Sequence, residues 1–225
     1  MIAIVPIRSN SKRIKNKNIK LFNGKPLFYW CLNELNLSKI ERIIISTDSQ
    51  AYIENIKEFK FNKVEFSLRS EKNSTDTSSS EDVLIEVIEK FGLKDDIFFC
   101  QITSPFLSVK DINQALKFYE NYDSVISVVE QNRFIWNLSG TPTNYNLKNR
   151  SRSQDFESYF VENGSFYINS SKNIVRDKCR LSEKIGLFEM NKISYFEIDD
   201  LEDWKICEVL HQKYLNTNSF FKQKK

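Results

Sequence analysis

The chain has 225 residues, 40% apolar and 28% charged, the balance of a globular domain able to bury a core; this excludes a disordered or low-complexity chain. Five glycines and four prolines exclude collagen-like and linker-dominated chains, and the formal charge of +3 is too small to argue for nucleic acid or an anionic membrane. Cys31, Cys100, Cys179 and Cys207 form no CxxC pair, so neither a zinc knuckle nor a disulfide framework is expected, and no stretch approaches the ~18 uncharged apolar residues of a membrane span. The short apolar start runs at once into Arg8, Lys12 and Arg13, unlike a signal peptide. The expectation is a soluble, reduced, cytoplasmic protein with no membrane and no nucleic-acid partner.

Residues 2–6 read as a buried strand and 25–37 as a helix, with Leu27, Trp30, Cys31 and Leu35 near helical spacing. Residues 42–46 carry Ile43-Ile44-Ile45 and read as a strand. A helix follows at 50–59 and a short strand at 64–67. Residues 78–91 form a strong helix, with Ser80 as its cap and Val83, Leu84, Val87, Ile88 and Phe91 as its apolar stripe. Residues 97–102 are a strand, 109–119 a helix and 124–129 a strand. From about 130 to 170 the pattern breaks into aromatic and polar residues, with short strands at 159–161 and 166–168. An inserted β-rich arm suited to a subunit contact is expected there. Residues 195–198 return to strand character, 201–214 form a closing helix, and a frayed terminus follows.

Strand–helix alternation argues for an α/β fold with a mainly parallel sheet. Strands apolar on both sides place helices on both faces. Ligands of such folds bind at the carboxyl ends of the strands, which directs attention to five loops. After the first strand, residues 8–18 carry Arg8, Ser9, Ser11, Lys12, Arg13, Lys15, Lys17 and Asn18. A polyphosphate there would meet point charges, a guanidinium fork and turn N–H donors, although the loop is not a Walker A motif. Ser46-Thr47-Asp48 precedes a helix and reads chiefly as its cap. Arg69 and the polar run 74–80 lie ahead of a helix N-terminus, where hydroxyls and free N–H groups can hold a base, ribose or carboxylate. Gln101 and Thr103 end a buried strand and could meet a substrate; a Ser104-Pro105 turn explains the segment equally well. Glu197 and Asp199, on one face of the last strand, suit Mg²⁺, a hard cation with oxygen ligands; Asp200 alone would cap the helix beyond. His211, the single histidine, lies on a helix and reads as core or surface.

In this order, the pieces resemble the acylneuraminate cytidylyltransferases, or CMP-sialic acid synthetases, over nearly the whole chain. The residues concerned are 4–18, similar to that family's PARxxSKRxxxKN signature; Ile45-Ser46-Thr47-Asp48; Arg69 with Thr75-Asp76-Thr77-Ser78-Ser79; Gln101-Ile102-Thr103-Ser104-Pro105; Asn163-Gly164-Ser165-Phe166-Tyr167-Ile168; and residues 197–204. The resemblance implies a Rossmann-like nucleotidyltransferase fold over residues 1–225, with residues of about 130–170 as a dimerisation arm, acting as a homodimer. It implies transfer of CMP from CTP to a nine-carbon 2-keto sugar acid with release of pyrophosphate, in the presence of Mg²⁺, for cell-surface glycan synthesis.

By matching positions, Arg8, Ser11, Lys12, Lys17 and Asn18 would hold the CTP phosphates and nucleotide. Arg69, Thr77 and Ser78 would contact cytidine, and Ser80 would reach the reaction centre. Gln101, Arg152 and Gln154 would face the sugar acid, and Asp199 with Glu197 would place the metal. Arg8, Lys12, Ser80 and Asp199 form the expected catalytic set. Three departures stand out: Glu197 where aspartate is frequent, Ser153 in place of a second arginine after Arg152, and Ile7 where alanine is common. They open the choice of sugar to legionaminic and pseudaminic acids, and leave a non-catalytic nucleotide-binding relative as an alternative. Ile102-Thr103 stands where the eight-carbon branch carries Gly-Asp, which argues against that branch.

Overall fold

The computed structural model describes residues 1–9, 11–75, 77–150, 152 and 157–222, with side chains to residue 214. In chain order the strands are β1 (Ile2–Ile7), the two-residue β2 (Leu21–Phe22) and β3 (Lys25–Pro26), β4 (Arg42–Thr47), β5 (Val64–Leu68), β6 (Asp96–Cys100), β7 (Ser124–Gln131), β8 (Tyr159–Ser170) and β9 (Ile185–Glu189). The helices are α1 (Leu27–Leu37), α2 (Gln50–Lys57), α3 (Ser80–Phe91), α4 (Val109–Tyr119), α5 (Ser171–Asp177) and α6 (Leu201–Lys222). Seven strands form one sheet in the order β5-β4-β1-β6-β8-β7-β9. Within it β8 runs antiparallel to both neighbours, and the other pairs are parallel.

Alternation along β1 sorts the core into two layers. Ala3, Val5 and Ile7 pack with Phe28, Leu32 and Leu35 of α1, Tyr52 and Ile56 of α2, and Ile112 and Ala115 of α4. Ile2 and Ile4 point the other way, onto Leu84, Val87 and Ile88 of α3 and Ile174 of α5. Helices therefore cover both faces, as the strand composition requires. A third cluster joins Ile14, Phe22, Leu27, Phe106 and Ile198 to Trp204 and Cys207 of α6. It fixes the basic loop and the carboxylate segment to the same helix. His211 is buried there, edge-on to Trp30 and accepting at Nδ1 from the Asn23 amide at 3.3 Å.

Four local readings change. Ser79, not Ser80, caps α3: its hydroxyl accepts from the Asp82 N–H, and the Asp82 carboxylate reaches back to the Ser79 N–H. Residues 195–198 are not a strand. A 3-10 turn, Lys192–Tyr195, leads into an extended segment tied to the neighbouring loop by the Ile198 N–H, which donates to the Thr103 carbonyl at 2.8 Å. The parallel place beside β7 is taken instead by β9. The two short strands read at 159–161 and 166–168 are one continuous β8, with a register irregularity opposite Ile126–Val128. Beyond the sheet proper, the ends of β7 and β8 pair as a two-stranded extension, and residues 132–150 turn back on themselves around a Trp136–Pro142 bridge. Trp136, Leu138, Leu147 and Phe160 are exposed there.

Candidate active site

A cavity of about 370 Å³ opens at the carboxyl edge of the sheet. Its walls are Pro6, Arg8, Ser11, Lys17 and Asn18 after β1, Arg69 after β5, Thr75 and Ser78–Ser80 at the start of α3, Val83, and Gln101–Thr103 after β6. A second cavity of about 240 Å³ adjoins it along the basic loop, lined by Arg8, Ser11, Lys12, Arg13, Ile14, Lys17 and Asp199. Arg8, Ser11 and Lys17 belong to both.

Lys17 and Arg69 are each held by a backbone carbonyl that they border. The Lys17 ammonium donates to the Ile198 carbonyl at 2.9 Å and lies 4.0 Å from an Asp199 oxygen. Burial draws its pKa down, against the support of Asp199. Arg69 is fixed through Nε to the Ser46 hydroxyl at 3.1 Å and through Nη2 to the Ser46 carbonyl at 3.0 Å. Its burial also lowers its pKa, opposed by Asp48. The Asn18 amide is buried and donates to the Arg8 carbonyl at 2.6 Å. In the polar run, the Ser78 hydroxyl donates to the Lys72 carbonyl at 2.9 Å, and the Thr75 hydroxyl bridges those of Thr77 and Ser78. The capping box therefore uses Ser79 and leaves Ser80 to line the wall.

The carboxylates close the other end. Asp199 Oδ2 pairs with Arg13 at 3.0 Å. The Asp203 carboxylate accepts from the N–H groups of Asp199 at 3.1 Å and Asp200 at 3.0 Å, holding the segment in place. Asp200 caps α6 through the Glu202 and Asp203 N–H groups. Burial pushes the Glu197 carboxyl up, and the charges of Asp199 and Asp203 add to it. Glu197 lies against Gly164, whose φ is +63°: a Cβ at that position would stand 2.7 Å from Glu197 Oε2 and 3.2 Å from Gln101 Oε1. Gly164 is the close-approach glycine that lets a carboxylate and an amide meet beside β8.

Of the sequence-derived site residues, Arg8, Ser11, Lys12, Lys17, Asn18, Arg69, Ser78, Ser80, Gln101 and Asp199 line one or both cavities. Glu197 adjoins Gln101 at their edge. Thr77 touches the wall only through Thr75, Arg152 lines neither cavity, and Gln154 lies outside the described residues. The carboxylate pair is delivered by an extended loop rather than by a strand end. Thr75, Ser79 and Thr103 on the wall fall in the polar run and the strand end that the sequence marks as ligand-facing; Arg13 as the partner of Asp199 and Asp203 as its brace carry no assignment from sequence. Arg13 stood in the basic run, but nothing local pairs it with a carboxylate far along the chain.

A mainly parallel sheet with five cationic side chains, a hydroxyl-rich helix start and a carboxylate segment at its carboxyl edge defines an α/β nucleotidyltransferase fold. The family model described as "Cytidylyltransferase" matches residues 2–225; the chain belongs to that family. It is 33% identical over 223 residues to N-acylneuraminate cytidylyltransferase B of Danio rerio, covering 92% of this chain and 50% of that protein. It is 33% identical over 224 residues to CMP-N,N'-diacetyllegionaminic acid synthase of Legionella pneumophila, covering 93% and 95%. With N-acylneuraminate cytidylyltransferase of Escherichia coli it shares 27% identity over 226 residues, covering 95% and 52%. The chain thus spans about half the length of the fish and E. coli relatives. Among solved structures, CMP:2-keto-3-deoxy-manno-octonic acid synthetase complexed with CTP superposes with a TM-score of 0.69 at 14% identity, over 95% of this chain and 98% of that one. A 4-diphosphocytidyl-2C-methyl-D-erythritol synthase from Anaerococcus prevotii gives 0.66 at 12% identity, over 94% and 96%. At those identities the likeness speaks for the fold.

Proposed function

We propose that the chain transfers CMP from CTP to the anomeric hydroxyl of a nine-carbon 2-keto sugar acid. The observation that carries this reading is the convergence of Arg8, Lys17 and Arg69 with Gln101 on one cavity wall, beside the Glu197–Asp199 carboxylates. The anomeric O2 attacks the α-phosphorus, the bond to the bridging oxygen breaks, and pyrophosphate leaves in line. Little covalent work falls to the protein, so positioning and charge neutralisation dominate. Arg8, Lys12 and Lys17 bind the phosphates and offset charge developing on the leaving group. Ser11 and Asn18 shape the loop, and Arg69 with Ser78 faces the nucleoside. Ser80, on the first turn of α3, reaches toward the reacting phosphate, while Gln101 orients the sugar acid. The Arg152–Gln154 segment is assigned to the same acid.

A crowded, half-buried carboxylate suits a hard divalent cation, and Glu197 between Asp199 and Asp203 is such a group. Among the described residues no cluster of three or more metal-ligating side chains forms a closed cage. Mg²⁺ is commonly held by one or two carboxylates together with substrate phosphates. Asp199 and Glu197 would hold it, and when bound it would supply Lewis-acid polarisation of phosphate oxygens. The exposed apolar side chains of residues 132–150 support the arm's assignment to a homodimer contact. No described helix is long and apolar enough to cross a membrane, and a cytoplasmic location is part of this proposal.

Among nine-carbon acids, legionaminate is favoured by the Legionella relative, which this chain matches over 95% of its length. Mass spectrometry of reactions containing CTP, Mg²⁺ and sialic, legionaminic or pseudaminic acid tests the reading. The CMP ester of one acid is expected. Its absence with all three, from folded chain, would refute the proposed transfer.

A further inference from the structure

Ser46-Thr47-Asp48 reads in sequence as the cap of α2, but the cap is Ser49, whose hydroxyl accepts from the Tyr52 N–H at 3.3 Å. The Asp48 carboxylate is spent elsewhere. Its Oδ1 accepts from the Ser9 N–H at 2.8 Å and its Oδ2 from the Ser9 hydroxyl at 3.0 Å, across 39 residues of sequence. The other end of the same peptide unit, the Arg8 carbonyl, accepts from the buried Asn18 amide at 2.6 Å. The next carbonyl, that of Ser9, accepts from the Tyr52 hydroxyl at 3.2 Å. Both polar ends of the Arg8–Ser9 peptide are thus pinned, by side chains from two different parts of the fold. Arg8 sits immediately before this clamp and lines both cavities.

An anion so close to a phosphate loop would oppose phosphate binding if it faced the ligand. Here its two oxygens are turned onto Ser9, and hydrogen bonds to a carboxylate acceptor are the stronger kind. We propose that Asp48, with Tyr52 in support, is a positioning residue: it fixes the Arg8–Ser9 peptide so that the Arg8 guanidinium meets the nucleotide triphosphate without rearrangement. This rests on the CTP reading above and adds to it a role for a motif that the reaction itself does not use. Neither Asp48 nor Tyr52 touches substrate in this scheme; both act through the loop.

Steady-state kinetics of the full chain test it, with thermal melts to confirm folding and calorimetric titration of CTP in Mg²⁺. Asp48→Ala is expected to raise KM and the dissociation constant for CTP tenfold or more, with KM for the sugar acid within twofold of wild type. Asp48→Asn keeps an acceptor for the Ser9 N–H and can donate to the Ser9 hydroxyl, so it should restore CTP binding to within threefold. A folded Asp48→Ala variant with unchanged CTP affinity overturns the proposal. So does an equal fall in activity toward both substrates at unchanged KM, which signals lost active fraction, and so does an Asp48→Asn variant as impaired as Asp48→Ala. Should Asp48→Ala fail to fold, the Ser9→Ala, Tyr52→Phe pair removes two of the pinning bonds: a CTP dissociation constant raised at least threefold supports the role, and an unchanged one overturns it. Wild-type chain that binds no CTP would refute the functional reading, and this proposal with it; binding by wild type that the variants leave untouched would refute this proposal alone.

Discussion

Replacing Lys17 by methionine separates the proposed phosphate-clamping role of the basic loop from its part in folding. Methionine keeps much of the apolar stem and removes the ammonium. The folded chain loses one hydrogen bond, to the Ile198 carbonyl at 2.9 Å, worth about 1 kcal/mol. It also loses the approach to Asp199 at 4.0 Å. At an effective dielectric near 20 that pair would reach roughly 4 kcal/mol, but the Asp199 side chain is 45% exposed and already paired with Arg13 at 3.0 Å. Screening reduces the net contribution to about 1 kcal/mol or less. Stability should therefore fall by about 1–2 kcal/mol. An electrostatic clamp on transferring phosphates contributes about 3 kcal/mol to the transition state, so kcat/KM for CTP should fall by roughly a hundredfold or more. Pyrophosphate release under initial-rate conditions, alongside urea denaturation, measures both quantities. A kcat/KM within threefold of wild type would refute the clamp, whatever the change in stability.

Gly164→Ala should cut turnover at least tenfold with only about 1–2 kcal/mol lost in stability, because the new methyl crowds Glu197 and Gln101 at a φ of +63°; kinetics compared with a thermal melt check this. Asp199→Ala should abolish turnover and the response to Mg²⁺ while leaving the circular dichroism spectrum unchanged; wild-type rates would sink the metal assignment. Burial holds His211 neutral in the fold, with its pKa near 4 against 6.5 when unhindered. As pH falls through that window the unfolded chain takes up the proton first, so stability should decline on the order of 3 kcal/mol between about pH 6.5 and 4 and level off below. The difference between wild type and His211→Phe in urea titrations at each pH isolates that component. Trp136→Ser combined with Leu138→Ser should shift the mass measured by sedimentation from dimer to monomer if the arm forms the subunit contact.

The central layers were legible because burial leaves a direct mark: Ile43-Ile44-Ile45 is apolar on both faces, and Val83, Leu84, Val87 and Ile88 recur at helical spacing. The basic wall of the cavity was legible for a related reason, since the basic residues cluster just after a buried strand. Failures came where tertiary pairing decides. Strand β9 is short, is interrupted by Gly186 and carries apolar Ile185 and Leu187 on its exposed side, so it shows no polar–apolar alternation; Gly186 packs against Tyr122 and Phe118 too closely for a side chain. Residues 195–198 carry strand-forming types, but the Phe196 N–H turns back to the Ile193 carbonyl and the Ile198 carbonyl is taken by Lys17, so the Ile198–Thr103 bond is not extended into a ladder. The Arg13–Asp199 and Ser9–Asp48 contacts join segments distant in sequence, and no local spacing announces either.

Pyrophosphate release with CTP, ATP, GTP or UTP, each supplied with Mg²⁺ and a nine-carbon 2-keto sugar acid, tests the central claim most directly. Release is predicted with CTP and one such acid, at least a hundredfold faster than with any other nucleotide. Equal rates with all four nucleotides, or no release from folded chain that still binds CTP, would contradict it.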